Sequence, residues 1–177
     1  MPERIHQLRF DDDFGHITAE DVTPKGFRGV EFPKVERLNR FVREVKELVY
    51  IHSPAEAGQY LLDKVYAPFA DFDQEEVWVL LLDAKLRITH EVMVYRGTVS
   101  GVSIRPAELV KEAVRLNAIS LLLSHCHPSG DPTPSPEDVQ MTRQLAEAAD
   151  VLGLNLTDHI IVGQGRWVSL RERKMGF

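Results

Sequence analysis

The chain has 177 residues, 44% of them hydrophobic and 27% charged, which is enough apolar material for one core and little more than one domain length. Its 27 acidic and 21 basic residues give a formal net charge of -6, which disfavours a nucleic-acid-binding protein because such proteins need a concentrated positive surface. The single cysteine, Cys126, excludes an internal disulfide and a zinc module built on two or more cysteines. No apolar run approaches the roughly 18 residues of a membrane span, and the N-terminus lacks the order of a secretory signal, so we expect a cytoplasmic protein.

The first 50 residues are predicted to form a separate N-terminal unit. Residues 1 to about 32 are polar and show no sustained period, which indicates an arm. From Pro33 to Val49, apolar residues recur at three- and four-residue spacing, and this pattern predicts an amphipathic helix. The narrow apolar seam of that helix would pack on its own domain or on a second chain, and we expect a homodimer on this ground.

Residues 51–177 are predicted to form one α/β domain. Ser53-Pro54-Ala55-Glu56 has the pattern of a helix start, with Ser53 as cap and Glu56 placed to close a capping box, and the helix should run to about Tyr66. Val77–Leu82 is a short apolar run typical of a central strand, and a longer strand should follow from Leu86 to about Val99.

The second half of this domain repeats the alternation of helices and strands. Pro106 begins a predicted helix, Ile119–Leu123 reads as a buried strand, and Ser135-Pro136-Glu137-Asp138 begins another helix that ends before Gly153. Two closing strands are predicted at about residues 158–162 and 167–170. This order predicts a mixed β-sheet flanked by helices.

Residues 124–138 contain the side chains that are best suited to bind a metal ion. His125 and His127 lie at the mouth of a predicted buried strand, where extended residues i and i+2 project to the same face and can bind one ion. Asp138 lies in the first turn of the next helix, and the intervening loop can fold it back towards both imidazoles. Two histidines and one carboxylate suit a single zinc ion and leave a fourth position for a water nucleophile.

A hydrolytic site also needs a general base and a donor for the oxyanion. Ser135 lies three residues before Asp138, where its hydroxyl can donate to an oxyanion or act only as a helix cap. Charge alone proposes Glu75, Glu76 or Glu91 as the base. If residues 75–83 are extended, Glu75 and Glu76 face opposite ways and only one of them can serve.

The string His125-x-His127, seven residues, Ser135, two residues, Asp138 resembles the signature of JAMM (MPN-type) zinc metalloproteases. The surrounding His127-Pro-Ser-Gly-Asp131 and Pro134-Ser-x-x-Asp138 resemble the bacterial RadC-like branch of that family. The resemblance extends from about Ile51 to Phe177 and includes Arg96-Gly97-Thr98, Leu116-Asn117-Ala118 and Asp158-His159-Ile160-Ile161-Val162-Gly163.

This resemblance implies a three-layer fold like that of cytidine deaminases and a zinc-dependent hydrolase of peptide or isopeptide bonds, with a protein or peptide substrate. By the same resemblance, His125, His127 and Asp138 are the zinc ligands, Ser135 is the oxyanion donor and Glu75 is the general base, since Glu75 aligns best by its distance to Asp83. His159 is either a residue that supports the site from behind the ligands or a strand histidine whose ring nitrogens bond to backbone.

The chain departs from the family pattern at two places. Cys126 replaces the asparagine usual between the two histidines, and we interpret it as a small buried residue. The first 50 residues do not resemble the helix-hairpin-helix segment that commonly precedes the RadC-like domain. An alternative function is therefore a non-catalytic MPN-like scaffold or a DNA-repair accessory protein, for which Arg166, Arg171, Arg173 and Lys174 supply a small basic patch.

Overall fold

The computed structural model of the protein describes residues 41–97 and 104–177. In chain order these contain β1 (Phe41–Glu44), α1 (Pro54–Tyr60), a π-helical turn (Leu61–Val65), a 3-10 turn (Phe69–Asp71), β2 (Glu75–Leu82), β3 (Ile88–Gly97), α2 (Pro106–Arg115), β4 (Ser120–Cys126), α3 (Pro136–Val151), β5 (Asn155–Gly163) and β6 (Arg166–Ser169). Within these residues, no helix is long and apolar enough to cross a membrane.

The strands form one mixed six-stranded sheet in the order β1-β3-β2-β4-β5-β6. β4 and β5 run parallel, and the other neighbouring pairs are antiparallel. β2 and β4 read as continuous apolar runs because helices cover both faces of the sheet. The predicted α/β class and mixed sheet are confirmed.

Two hydrophobic clusters, one on each face of the sheet, make up the core. One face packs against α2 and α3 through residues such as Val79, Leu123 and Leu145. The other packs against α1 and the π-helical turn through residues such as Leu80 and Leu122. Alternate residues of β2 and β4 enter alternate clusters, so the helices and the sheet form three layers.

The helix predicted over residues 33–49 is wrong for its described part. Phe41–Glu44 is an edge strand that pairs with β3, with Phe41 opposite Met93 and Glu44 opposite His90. Its apolar residues do not share one stripe, because Val42 packs on the α2/α3 face while Val45 and Val49 pack on the α1 face. β-branched residues suit a pleated strand, and the open edge of β3 supplies the backbone partners that the periodicity could not reveal. Residues 33–40 and the predicted arm lie outside the described residues.

The other predicted elements are present with shifted ends. Ser53 caps α1 through the Glu56 N–H, but the Glu56 carboxylate accepts from the His52 N–H instead of closing a box on Ser53. β4 extends three residues beyond the predicted Leu123, to Cys126, so His125 lies inside the strand. The described end of the predicted strand 86–99 is Gly97, and residues 98–99 lie outside the described residues.

Gly58 in α1 is required by a close approach to β6. A Cβ atom at this position would lie 2.4 Å from the indole of Trp167. Alanine is favoured over glycine in a helix by about 1 kcal/mol. The steric overlap with Trp167 acts in the opposite direction, and we expect its free-energy cost to exceed that gain.

We therefore expect Gly58→Ala to lower the free energy of unfolding by about 1–3 kcal/mol in urea denaturation. The matched control is Gln59→Ala on the exposed side of the same helix, which should change stability by less than about 0.5 kcal/mol. Equal or greater stability of the Gly58 variant would contradict the close packing of α1 on Trp167.

Candidate metal centre

His125 and His127 come from the end of one buried strand. His125 lies in β4 opposite Val77 of β2 and is buried. His127 follows the strand directly, and its N–H donates to the carbonyl of Val162, so the chain stays extended alongside β5. Both side chains therefore lie on one face of the sheet, with their Nε2 atoms 3.0 Å apart.

Asp138 completes the cluster from the first turn of α3. Its Oδ1 lies 3.0 Å from His125 Nε2, and its Oδ2 lies 3.6 Å from His127 Nε2. One possible ligand atom from each residue lies within 4.8 Å of the others, so the convergence expected from the spacing is present. Two imidazole nitrogens this close to each other and to a carboxylate form a donor set that fits a zinc ion.

A capping box holds the Asp138 carboxylate in place. The Ser135 N–H donates to Oδ2 at 2.7 Å, and the Asp138 N–H donates to Ser135 Oγ at 3.1 Å. Burial raises the pKa of Asp138, but the close imidazoles of His125 and His127 and the hydrogen bond that the carboxylate accepts from the Ser135 N–H outweigh burial and hold the pKa well below its usual range. The carboxylate is therefore ionised and oriented at neutral pH.

Each imidazole is held through its other ring nitrogen. His127 Nδ1 lies 2.8 Å from the carbonyl oxygen of Asp131, which can only accept, so Nδ1 carries the proton and Nε2 keeps a lone pair. The nearby Asp138 carboxylate raises the pKa of His127 because it stabilises the protonated form of the ring, although burial opposes it. The Asp138 carboxylate therefore favours a positive charge between the three side chains.

His159 lies behind His125 and is fully buried. Its Nε2 lies 2.8 Å from His125 Nδ1, and its Nδ1 lies 2.6 Å from Thr142 Oγ1. Burial, with a smaller contribution from the His125 charge, holds its pKa well below the usual value, so the ring is neutral. The alternative that its ring nitrogens bond to backbone is wrong. Sequence reasoning missed Thr142, whose only signal was its place one helical turn after Asp138 on α3.

Glu75 is the one candidate base that lies on the face of the metal centre. It begins β2, two residues before Val77, and therefore projects to the same face as His125. Burial raises its pKa, while the charges of His125 and His127 lower it and that of Asp138 raises it, so the carboxylate interacts with all three.

Glu76 and Glu91 lie on the opposite face. Glu76 accepts a hydrogen bond from the Trp78 indole at 2.7 Å and forms an ion pair with Arg96. Glu91 pairs with Leu80 in the sheet, accepts from the Tyr60 hydroxyl and forms an ion pair with Arg43. The expectation that Glu75 and Glu76 face opposite ways is confirmed.

Ser135 is the N-cap of α3. Ser135 Oγ caps α3 by accepting the Asp138 N–H, and its hydroxyl proton stays available for another acceptor.

Cys126 points into the cluster on the α1 face, where burial raises the pKa of its thiol to about 12. The interpretation of Cys126 as a small buried residue is confirmed, and it does not compete for a metal at the His125 face.

Comparison with known proteins agrees with this geometry. A family model described as the RadC-like JAB domain matches residues 51–175. One strand of the sheet, Phe41–Glu44, lies before the matched residues.

Several curated relatives carry the name UPF0758 protein. The chain is 43% identical over 133 residues to one from Chloroflexus aurantiacus, which covers 75% of this chain and 56% of the relative. It is 38% identical over 142 residues to one from Geotalea uraniireducens, covering 80% and 60%. It is 33% identical over 148 residues to one from Halalkalibacterium halodurans, covering 82% and 62%. The chain thus matches little more than half the length of these relatives.

The raised pKa of Glu75 predicts a pH-dependent gain in stability for Glu75→Gln. Because the folded protein holds this proton more tightly than the unfolded chain, the ionised carboxylate costs stability at neutral pH, and the cost disappears as the pH falls and the group protonates. We expect the metal-free variant to be more stable than the wild type at pH 7, with the gain shrinking below about pH 4.

Urea denaturation at the two pH values measures this effect. The matched variant Glu76→Gln should instead lose stability at pH 7, because it weakens the ion pair with Arg96 and the acceptor of the Trp78 indole. If both variants lose stability, Glu75 does not lie in the environment described.

Proposed function

Because the chain belongs to the RadC-like JAB domain family, we propose that it is a zinc-dependent hydrolase of peptide or isopeptide bonds, a JAMM-type metallopeptidase with one zinc per chain. The observation that carries the proposal is the convergence of His125, His127 and Asp138, whose ligand atoms lie within 4.8 Å of one another. Two lone-pair nitrogens and an ionised carboxylate can hold the metal and leave a position open for water. Zinc bound there would bring the pKa of its water to about 7 and polarise a carbonyl group.

Glu75 is proposed as the general base. It lies on the face of the ligands, and its raised pKa brings its proton affinity closer to neutral pH, where a base can both take up and release a proton. During attack on the scissile carbonyl, the carboxylate would accept the proton of the water and later deliver it to the leaving amine. Glu76 and Glu91 face the other side of the sheet and have no access to that proton.

Ser135 is proposed to donate its hydroxyl proton to the oxygen of the tetrahedral intermediate. The capping bond from Asp138 uses a lone pair of Oγ and fixes its position without consuming the proton. The three ligands, one base and one hydroxyl form a complete set, and this completeness supports hydrolysis over the non-catalytic scaffold.

A protein or peptide is the proposed substrate. The net charge of -6 supports this class over a nucleic acid, and in the basic patch Arg166 and Arg171 already donate hydrogen bonds to the carbonyls of Gly130 and Leu156. The homodimer and the cytoplasmic location stay predictions. The chain matches little more than half the length of its relatives, so any activity of the whole protein is likewise a proposal.

The metal content of protein purified without chelator tests the centre directly. We expect elemental analysis to find about one zinc per chain in the wild type and a loss of most of it in His127→Ala, because the variant removes one of three ligands. His52→Ala, at an exposed histidine before α1, is the matched control and should keep its zinc. A wild type that stays zinc-free after reconstitution would overturn the proposal.

The role of Glu75 is tested by separating metal binding from turnover. Glu75→Gln should keep its zinc and lose kcat on a peptide or isopeptide substrate by about 100- to 10,000-fold, because the amide cannot accept the proton. Glu76→Gln, measured below its unfolding transition, should keep kcat near that of the wild type. Retained activity in the Glu75 variant would remove Glu75 from this role.

A further inference from the structure

We propose that His159 and Thr142 are positioning residues that fix the proton of His125 on Nδ1 and so keep its Nε2 free to bind a metal. The inference rests on the proposed metal centre but not on hydrolysis, because it concerns the state of His125 before any substrate is present. It assigns a role to two buried side chains that are not themselves metal ligands, because both lie behind His125.

The contacts form a closed chain of hydrogen bonds between two metal ligands. His125 Nδ1 meets His159 Nε2 at 2.8 Å, and His159 Nδ1 meets Thr142 Oγ1 at 2.6 Å. Thr142 Oγ1 then lies 2.6 Å from the backbone carbonyl of Asp138. The chain therefore begins at a ligand on β4, passes through β5 and returns through α3 to another ligand.

The last contact sets the direction of all the others. A carbonyl oxygen can only accept, so at 2.6 Å the Thr142 hydroxyl must donate its proton to Asp138. Thr142 Oγ1 can then only accept from His159, which places the His159 proton on Nδ1. A neutral imidazole has one donor and one acceptor, so His159 Nε2 accepts and His125 Nδ1 donates.

The reversed arrangement disagrees with the geometry. It would need Thr142 to donate to His159, which leaves two oxygen atoms 2.6 Å apart without a proton between them. In a neutral ring it would also place the proton of His125 on Nε2, the nitrogen that has to be unprotonated to bind a metal. The hydroxyl of Thr142 is thus the element that selects the metal-binding tautomer.

Burial makes this selection strong. Thr142 and His159 are both fully buried, so water cannot replace a lost hydrogen-bond partner. Partners that orient a metal-binding histidine typically change metal affinity by about 10- to 100-fold when they are removed. The same range is expected here although neither residue is a ligand.

Two substitutions of Thr142 separate this role from simple packing. Thr142→Val keeps the shape of the side chain but removes the hydroxyl, whereas Thr142→Ser keeps the hydroxyl but removes a methyl group. The proposed role predicts that Val weakens zinc binding by about 10- to 100-fold, measured by competition with a chelator, while Ser stays within about threefold of the wild type. A packing role predicts the opposite order, with Ser weaker than Val. That order, or an unchanged affinity for Val, would overturn the proposal.

Nitrogen chemical shifts of the histidines in the metal-free protein give a second test that does not need zinc. We expect His125 to carry a proton on Nδ1 in the wild type and in Thr142→Ser, and to lose it to a measurable extent in Thr142→Val, where His159 can reverse its tautomer. An unprotonated His125 Nδ1 in the wild type would overturn the proposal. If the wild type binds no zinc, the proposed function fails, and these shifts alone decide the roles of Thr142 and His159.

Discussion

A buried imidazole needs partners for its ring nitrogens, and this constraint determines the arrangement around His125 in β4. The strand is buried along its whole length, yet it carries His125 two residues after a run of three leucines. Unpaired, this imidazole would cost several kcal/mol on transfer from water. One of its ring nitrogens is satisfied by His159 and the other faces His127 and Asp138, so the contacts that satisfy a buried imidazole also bring together side chains that could hold a metal ion.

The alternation of side chains along β2 and β4 separates two chemistries. Glu75 and His125 lie on the face covered by α2 and α3, while Glu76 and Cys126 lie on the face covered by α1. The thiol is therefore close in sequence to both histidines but lies across the sheet from them. A substitution at residue 126 changes the α1 core and leaves the donor set of the metal centre intact.

The sequence predicts the parts of this structure that depend on local patterns. The apolar runs of β2 and β4, the proline-marked starts of three helices and the spacing from His125 to Asp138 are all visible in the chain, and the structure agrees with them. The helix prediction is wrong over residues 41–49, because its three- and four-residue spacing also fits an edge strand and the segment after it, whose side chains enter two clusters. Only the partner strand β3 decides between these structures.

The choice among the three glutamates and the partner of His159 also lay beyond local patterns. Glu75 is distinguished from Glu76 and Glu91 by strand register, which depends on how distant segments pair. Thr142 reaches His159 only because α3 packs against β5. Each of these facts joins residues from different elements, and a single sequence has no period or motif that expresses such a contact.

The capping box at the start of α3 gives the Asp138 carboxylate two tasks. Asp138 accepts the Ser135 N–H through Oδ2, and its other oxygen, Oδ1, lies 3.0 Å from His125 Nε2. Glutamate can also close a capping box, but its extra methylene would shift the carboxylate from the position that Asp138 Oδ1 holds beside His125, and histidine or cysteine has no second oxygen. A substitution of Asp138 would therefore remove a cap of α3 together with a proposed metal ligand, so that helix stability and metal binding would be weakened by one change.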